Sequence, residues 1–175
     1  GARPWRGMKR DQWEGGHRIP FIARWPQKIA ANTRTDQTVC LCDIMATCAA
    51  LVGADLPHGA AEDSFNILPV LLGEQSEDLP IRKHTLHQTI SLALSIRKGS
   101  WKYLDHQGSG GNDYEKNKAL HPYALPEKAP DAPGQLYNLD EDPGETTNLY
   151  FENPEIVEEL RLQLHASRDG GQSRP

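Results

Sequence analysis

A chain of 175 residues can bury one core of its own, so a single domain is the starting expectation. A net charge of −5 without any lysine/arginine stripe removes the case for a nucleic-acid-binding face, and no apolar run approaches the ~20 residues of a membrane-spanning helix. Thirteen prolines, fifteen glycines and a mean hydropathy of −0.65 describe a turn-rich chain that is polar for a self-sufficient core. No signal peptide is present, which says nothing about export if the chain is part of a longer one. Three cysteines make an odd count, so no complete disulfide framework is expected.

Residues 1–18 read as loop. Residues 20–25 (PFIARW) read as a buried strand closed by Pro26. Residues 43–52 (DIMATCAALV) read as a helix whose Ile44, Cys48, Leu51 and Val52 share one inward face, ended by Gly53. All three cysteines read as small buried residues, without a metal-ligand pattern. Residues 67–72 form a helical turn before Gly73, and the acidic stretch 74–80 is an exposed connection. The pattern then becomes strand-like at 85–89, 91–97 and 101–105, with a hairpin signal at Lys98-Gly99. Residues 107–133 are a long loop holding Gly-Ser-Gly-Gly; residues 135–139 are a strand closed by a Pro143-Gly144 turn. Asn153-Pro154-Glu155 opens a last helix with Ile156, Val157, Leu160 and Leu164 as its buried stripe and Gly170-Gly171 at its end.

The densest chemistry lies in Arg6-Gly7-Met8-Lys9 through Trp13-Glu14-Gly15-Gly16-His17-Arg18. The paired glycines permit close backbone approach, and Lys9 and Arg18 place positive charge beside the turn, where an oxyanion could sit. Glu14 and Arg18 read first as an ion pair that ties the turn down. His17 has the residue type to titrate near neutral pH. His84 and His87 are three apart, on opposite faces if the segment is a strand, so joint metal coordination is not expected. Trp13, Trp25, Trp101 and Tyr137 read as core anchors before sugar-stacking surfaces. Asp140, Glu141, Asp142 and Glu145 read as a turn rather than a calcium loop.

RGMKRDQWEGGHRIPFIARWP resembles the lysine and Glu-Gly-Gly-x-Arg-x-Pro segment of the type I sulfatases, the formylglycine-dependent arylsulfatase family. The likeness continues through Asp43 and Thr47 in CDIMATCAALVG, through SFNILPVLLG, through Arg97-Lys98-Gly99-Ser100-Trp101-Lys102, and through Leu136-Tyr137-Asn138-Leu139 with Asp142-Pro143-Gly144-Glu145 and Asn148-Leu149. Five matches in order carry weight that one would not. The resemblance implies an α/β fold: residues 1–78 as the end of a large α/β sandwich domain, an edge of its mixed sheet with a helix, and residues 79–175 as a small antiparallel-sheet subdomain covered by a C-terminal helix.

As to activity, the resemblance implies the C-terminal fragment of an enzyme that hydrolyses sulfate esters to an alcohol and inorganic sulfate. Lys9 is then the cation that meets the sulfate, acting on charge that builds up in the transition state. Arg18, His87 and Gln88, with the 108–111 loop, are candidates for substrate contact. Calcium and a formylglycine are implied for the longer protein, but Cys40, Cys42 and Cys48 lack the Cys-x-Pro-x-Arg context, so no cofactor and no metal is expected within this chain. The expected partners are a sulfate-ester substrate and an N-terminal catalytic part carrying the nucleophile and metal ligands; the implied location of the longer protein is periplasmic or secreted. Two other readings stay open: a fragment of a related phosphate or phosphonate ester hydrolase, and a non-catalytic binding module.

Overall fold

The computed structural model describes residues 4–173; the first three residues of the expected N-terminal loop and the last two of the expected second domain lie outside the described residues. In chain order the elements are α1 (Glu14–His17), α2 (Asp43–Val52), α3 (Leu68–Leu72), β1 (Thr85–Gln88), β2 (Leu94–Lys98), β3 (Trp101–Leu104), a 3-10 helix (Lys118–Tyr123), β4 (Gln135–Asn138) and α4 (Pro154–Gly170). They form two compact units that interleave along the chain. One joins the residues up to 19 to Leu86–Ala166; the other joins Pro20–Thr85 to the residues from 167 on.

The first unit is built on a sheet in the order β1-β2-β3-β4. Lys98 pairs with Trp101 around a Gly99-Ser100 turn, Gly99 at φ 59°, one residue beyond the expected Lys98-Gly99 pair. Strand alternation sorts the faces. Ile96, Tyr103 and Leu136 stand in one cross-strand row and pack with Val157, Leu160 and Leu164 of α4, the stripe expected of that helix. The rows on either side, Ser95–Leu104–Gln135 and Arg97–Lys102–Tyr137, face the other way. There Leu104 and Tyr137 close a smaller cluster with Trp13 and Leu139. The N-terminal segment thus covers one face of the sheet and α4 the other.

In the second unit, Asp43 opens α2 and Gly53, at φ 67°, ends it as expected. Asp43 is fully buried; it accepts from the Cys40 and Phe65 amides and pairs with the buried guanidinium of Arg82, whose carbon lies 4.5 Å from the centre of the Phe65 ring. Thr47 Oγ1 accepts from the Ile67 amide, fastening α2 to the start of α3.

Three expectations fail here. Residues 20–25 form no strand; Ile22 is 90% exposed, with Phe21 and Trp25 exposed beside it, because no strand among the described residues lies alongside to pair with them. The apolar face of α2 points outward: Ile44, Cys48, Leu51 and Val52 are exposed, and the buried positions are Asp43, Ala46 and Thr47. For the same reason Cys42 and Cys48 are exposed and Cys40 is half-buried, rather than all three being interior. Burial still pushes the Cys40 thiol up to about 11.

The packing of α4 gives a direct check. Leu164 is fully buried and Leu162, two residues away, is exposed. Leu164→Ala is expected to cost about 2–5 kcal/mol in denaturant unfolding, and Leu162→Ala less than about 0.5 kcal/mol.

Candidate functional site

The segment that carries Lys9 is held by its own paired glycines. The Arg6-Gly7-Met8 backbone folds back on α1: the Gly15 amide donates to the Arg6 carbonyl at 2.7 Å and the Gly16 amide to the Trp13 carbonyl at 2.8 Å. A β-carbon on Gly16 would lie 2.0 Å from the Asp11 carbonyl oxygen, and one on Gly15 2.6 Å from those of Arg6 and Gly7. Only glycine fits at either place. The stretch read as uniform loop therefore contains one turn of helix, Glu14–His17.

Beneath this turn lies a buried ionic cluster. The ammonium of Lys102, fully buried on β3, lies 3.0 Å from Glu14 Oε1, 3.0 Å from Glu145 Oε1 and 3.1 Å from His17 Nε2. Glu14 Oε2 accepts from Arg97 on β2 at 3.2 Å and from Arg18 at 3.0 Å. The Glu14 amide donates to Glu145 Oε2 at 2.6 Å. Burial acts to raise Glu14, but the fields of Lys102, His17 and Arg97 outweigh it and hold its carboxyl below the usual range. Glu145, with one cation and almost no solvent, goes the other way: burial raises it. His17 is pushed down to about 4, first by burial and then by Lys102, so the ring is neutral near pH 7. Its ring stacks on His87 of β1, centroids 3.8 Å apart.

Of the residues singled out in the sequence, Lys9 is exposed, and its ammonium has no ion-pair partner among the described residues. Arg18 makes the expected ion pair with Glu14 while its guanidinium lies over the Trp5 ring at 4.5 Å. His87 sits under His17, with its carbonyl taken by the Gln12 side chain at 2.9 Å; Gln88, next along β1, is exposed. Arg6 is buried: it donates to Tyr137 Oη and the Glu145 carbonyl, and it covers Trp13 at 3.7 Å. The 108–111 loop lines an open cleft of about 580 Å³ together with Arg6, Trp13, Asn112, Tyr114 and Leu125. Among the described residues no three His, Cys, Asp or Glu side chains converge as a metal site would require.

Lys102 and Glu145 were missed as a site because each stood inside a motif with a sufficient local explanation, a hairpin and a turn. The available signal was alternation on β3, which sets Lys102 on the face opposite Trp101 and Tyr103, between residues that are themselves interior.

No family model matches the chain. Individual proteins do. It is 36% identical over 93% of its length to an N-acetylgalactosamine-6-O-sulfatase of Bacteroides thetaiotaomicron, and 32% identical over 87% to human arylsulfatase A. A solved structure of a sulfatase from work on glycosaminoglycan metabolism by Bacteroides thetaiotaomicron superposes with a TM-score of 0.74 at 34% identity, covering 93% of this chain. The chain spans 29% and 31% of the length of those two curated relatives.

Two measurements test the cluster. Lys102→Met leaves two buried carboxylates without their shared cation and is expected to cost about 3–5 kcal/mol; adding Glu145→Gln to it should return part of that loss in the same unfolding assay. The second concerns pH. Folded His17 binds its proton only near pH 4, whereas its ordinary value is 6.5. Between those values the unfolded chain holds more protons, so stability falls as the pH is lowered through the window. Between pH 7 and pH 5 the loss from this residue is about 2 kcal/mol, and His17→Gln should flatten the stability profile by that amount.

Proposed function

This chain is a sulfatase homologue in sequence and in fold, matching the C-terminal part of longer sulfatases, and from that premise we propose that it serves in the hydrolysis of sulfate esters to an alcohol and inorganic sulfate. The single observation that carries this reading is that the lysine and Glu-Gly-Gly turn is held by close backbone packing while the Lys9 ammonium stays in solvent. Sulfate-ester cleavage builds negative charge on the sulfuryl and leaving oxygens, and a compact ammonium on a flexible stem can meet it there. Of the other cations near this turn, Arg6, Arg18, Arg97 and Lys102 are engaged with protein acceptors, while Arg10 is exposed as Lys9 is.

Lys9 is accordingly the proposed catalytic residue, with Arg18, His87 and Gln88 as candidates for substrate contact. The identity to an N-acetylgalactosamine-6-O-sulfatase makes a 6-O-sulfated amino sugar the first substrate to try, ahead of a simple aryl sulfate. The residues present here do not fit calcium: the described side chains offer no convergent oxygen donors, and the three thiols lack the context of a formylglycine precursor. No step of the reaction is therefore derived through either group; in this proposal both belong to a preceding segment of the same protein, exported to the periplasm or beyond.

The outward apolar residues of the second unit, Ile22, Leu41, Met45 and Val52 among them, support the same reading. Of these, Leu41 and Met45 line one open hollow with Ile44 and Cys48; exposed apolar surface of this kind marks an interaction face, and a preceding large domain would cover it. The isolated 175-residue chain is expected to show no turnover. In the full-length protein, assayed with 4-nitrophenyl sulfate and with 6-O-sulfated N-acetylgalactosamine, Lys9→Ala is expected to lower kcat by roughly 100-fold or more. An unchanged kcat would remove Lys9 from the reaction, and turnover of phosphate monoesters alone would move the protein to a different hydrolase class.

A further inference from the structure

Lys9 carries its charge on a long stem, so its aim is set by the backbone beneath it. That backbone is gripped from outside the turn. Asn112 Nδ2 donates to the Lys9 carbonyl at 3.0 Å and to Asp11 Oδ1 at 2.8 Å, and the Asn112 amide donates to the same carboxylate oxygen at 3.2 Å. The other oxygen of buried Asp11 accepts from the Met8 amide at 2.9 Å and from Tyr114 Oη at 2.5 Å. The Gln12 amide donates to the Ser109 carbonyl at 2.8 Å. Between these contacts Gly111 lies against the Arg10 carbonyl so closely that a β-carbon there would sit 2.0 Å from its oxygen.

The gripping loop is itself fixed. Ser109 Oγ donates to the Asn112 carbonyl at 2.6 Å and accepts from the Gly111 amide at 3.0 Å, while the Thr89 and Ser91 hydroxyls both donate to the Gly110 carbonyl. The loop is thus braced on the turn between β1 and β2, and it holds Arg10 at φ 93°, a conformation a non-glycine residue keeps only when its surroundings enforce it.

We propose that Asn112 and Gly111 are positioning residues for Lys9: the 108–112 loop clamps the Met8–Asp11 turn and so sets where the Lys9 ammonium stands. This rests on the reading of Lys9 given above. A loop that the sequence offers as a substrate rim acts here through the lysine it holds. Asn112 touches the Lys9 backbone and no reacting group, so its removal should disturb the chemistry only as far as Lys9 takes part in it.

Two variants test this by different routes. Asn112→Ala deletes the hydrogen bonds; Gly111→Ala keeps them in principle and forces the turn away. In both, amide hydrogen exchange across residues 8–12 is expected to rise at least about tenfold while the amides of β2 and β3 stay protected. In the full-length protein, with 4-nitrophenyl sulfate as the probe, kcat is expected to fall roughly ten- to a hundredfold with KM changed less than about threefold. In a Lys9→Ala background neither variant should lower kcat further. Unchanged exchange in both variants, or a loss of kcat that persists undiminished in the Lys9→Ala background, overturns the proposal. Raised exchange with kcat intact overturns it as well. The single Lys9→Ala variant, read alone, reports on the role of Lys9 and keeps the two failures apart.

Discussion

The ammonium of Lys102, shared between Glu14 and Glu145 with no solvent around it, is the constraint from which the first unit follows. Three stretches far apart in the chain meet at that one nitrogen: the Glu-Gly-Gly turn, the β2–β3 hairpin and the Pro143-Gly144 turn. A buried charge without its partners is several kcal/mol unfavourable, so none of the three can shift without exposing the others to that penalty. The backbone bond from the Glu14 amide to Glu145 adds a second tie between the same two ends. Arg97 and Arg18 then balance the carboxylates, and His17 stays neutral because it is buried and, beside that, a further cation would be repelled by Lys102.

That arrangement was only partly legible in the sequence. The motifs themselves were visible, as were α2, α3, the four strands and α4, because period and end signals are local properties. Their convergence was not, since it depends on strand register: Lys102 lies opposite Tyr137 and Arg97, and only those pairings turn it toward Glu14. The paired glycines at 15 and 16 could be read as a demand for backbone shape; the carbonyls of Arg6, Gly7 and Asp11 that create the demand could not. The 3-10 helix at Lys118–Tyr123 went unseen inside a proline-rich loop, where neither period nor length gives a signal.

The misreadings in the second unit share one cause. An apolar stripe at helical spacing states which face of α2 avoids water and leaves open what covers it. Ile44, Leu51 and Val52 were expected inside, and the structure sets them outside because the described residues supply no neighbour for that face. Residues 20–25 failed in the same way: β-propensity is a preference for a pleated, half-buried surface, and without an adjoining strand the preference has nothing to act on. What holds the unit instead is polar, the Asp43–Arg82 pair with Phe65 over it, and it was hidden by the same logic that hid Lys102.

The two units therefore divide along a physical line. Where the chain supplies both faces, as α4 and the N-terminal segment do for the sheet, the apolar stripe of α4 and the inward rows of the sheet are interior and the buried charges are hydrogen-bonded or ion-paired. Where it supplies one face, the outer apolar stripe of α2 remains in solvent and the buried Asp43–Arg82 pair organises the element. Lys9 belongs to the first regime by its backbone and to neither by its side chain. Its carbonyl is bonded to Asn112, its turn is pinned through Asp11, and its ammonium is left in water. In the proposed reading, fixing the backbone in advance removes the backbone share of the cost of presenting the Lys9 ammonium to a ligand.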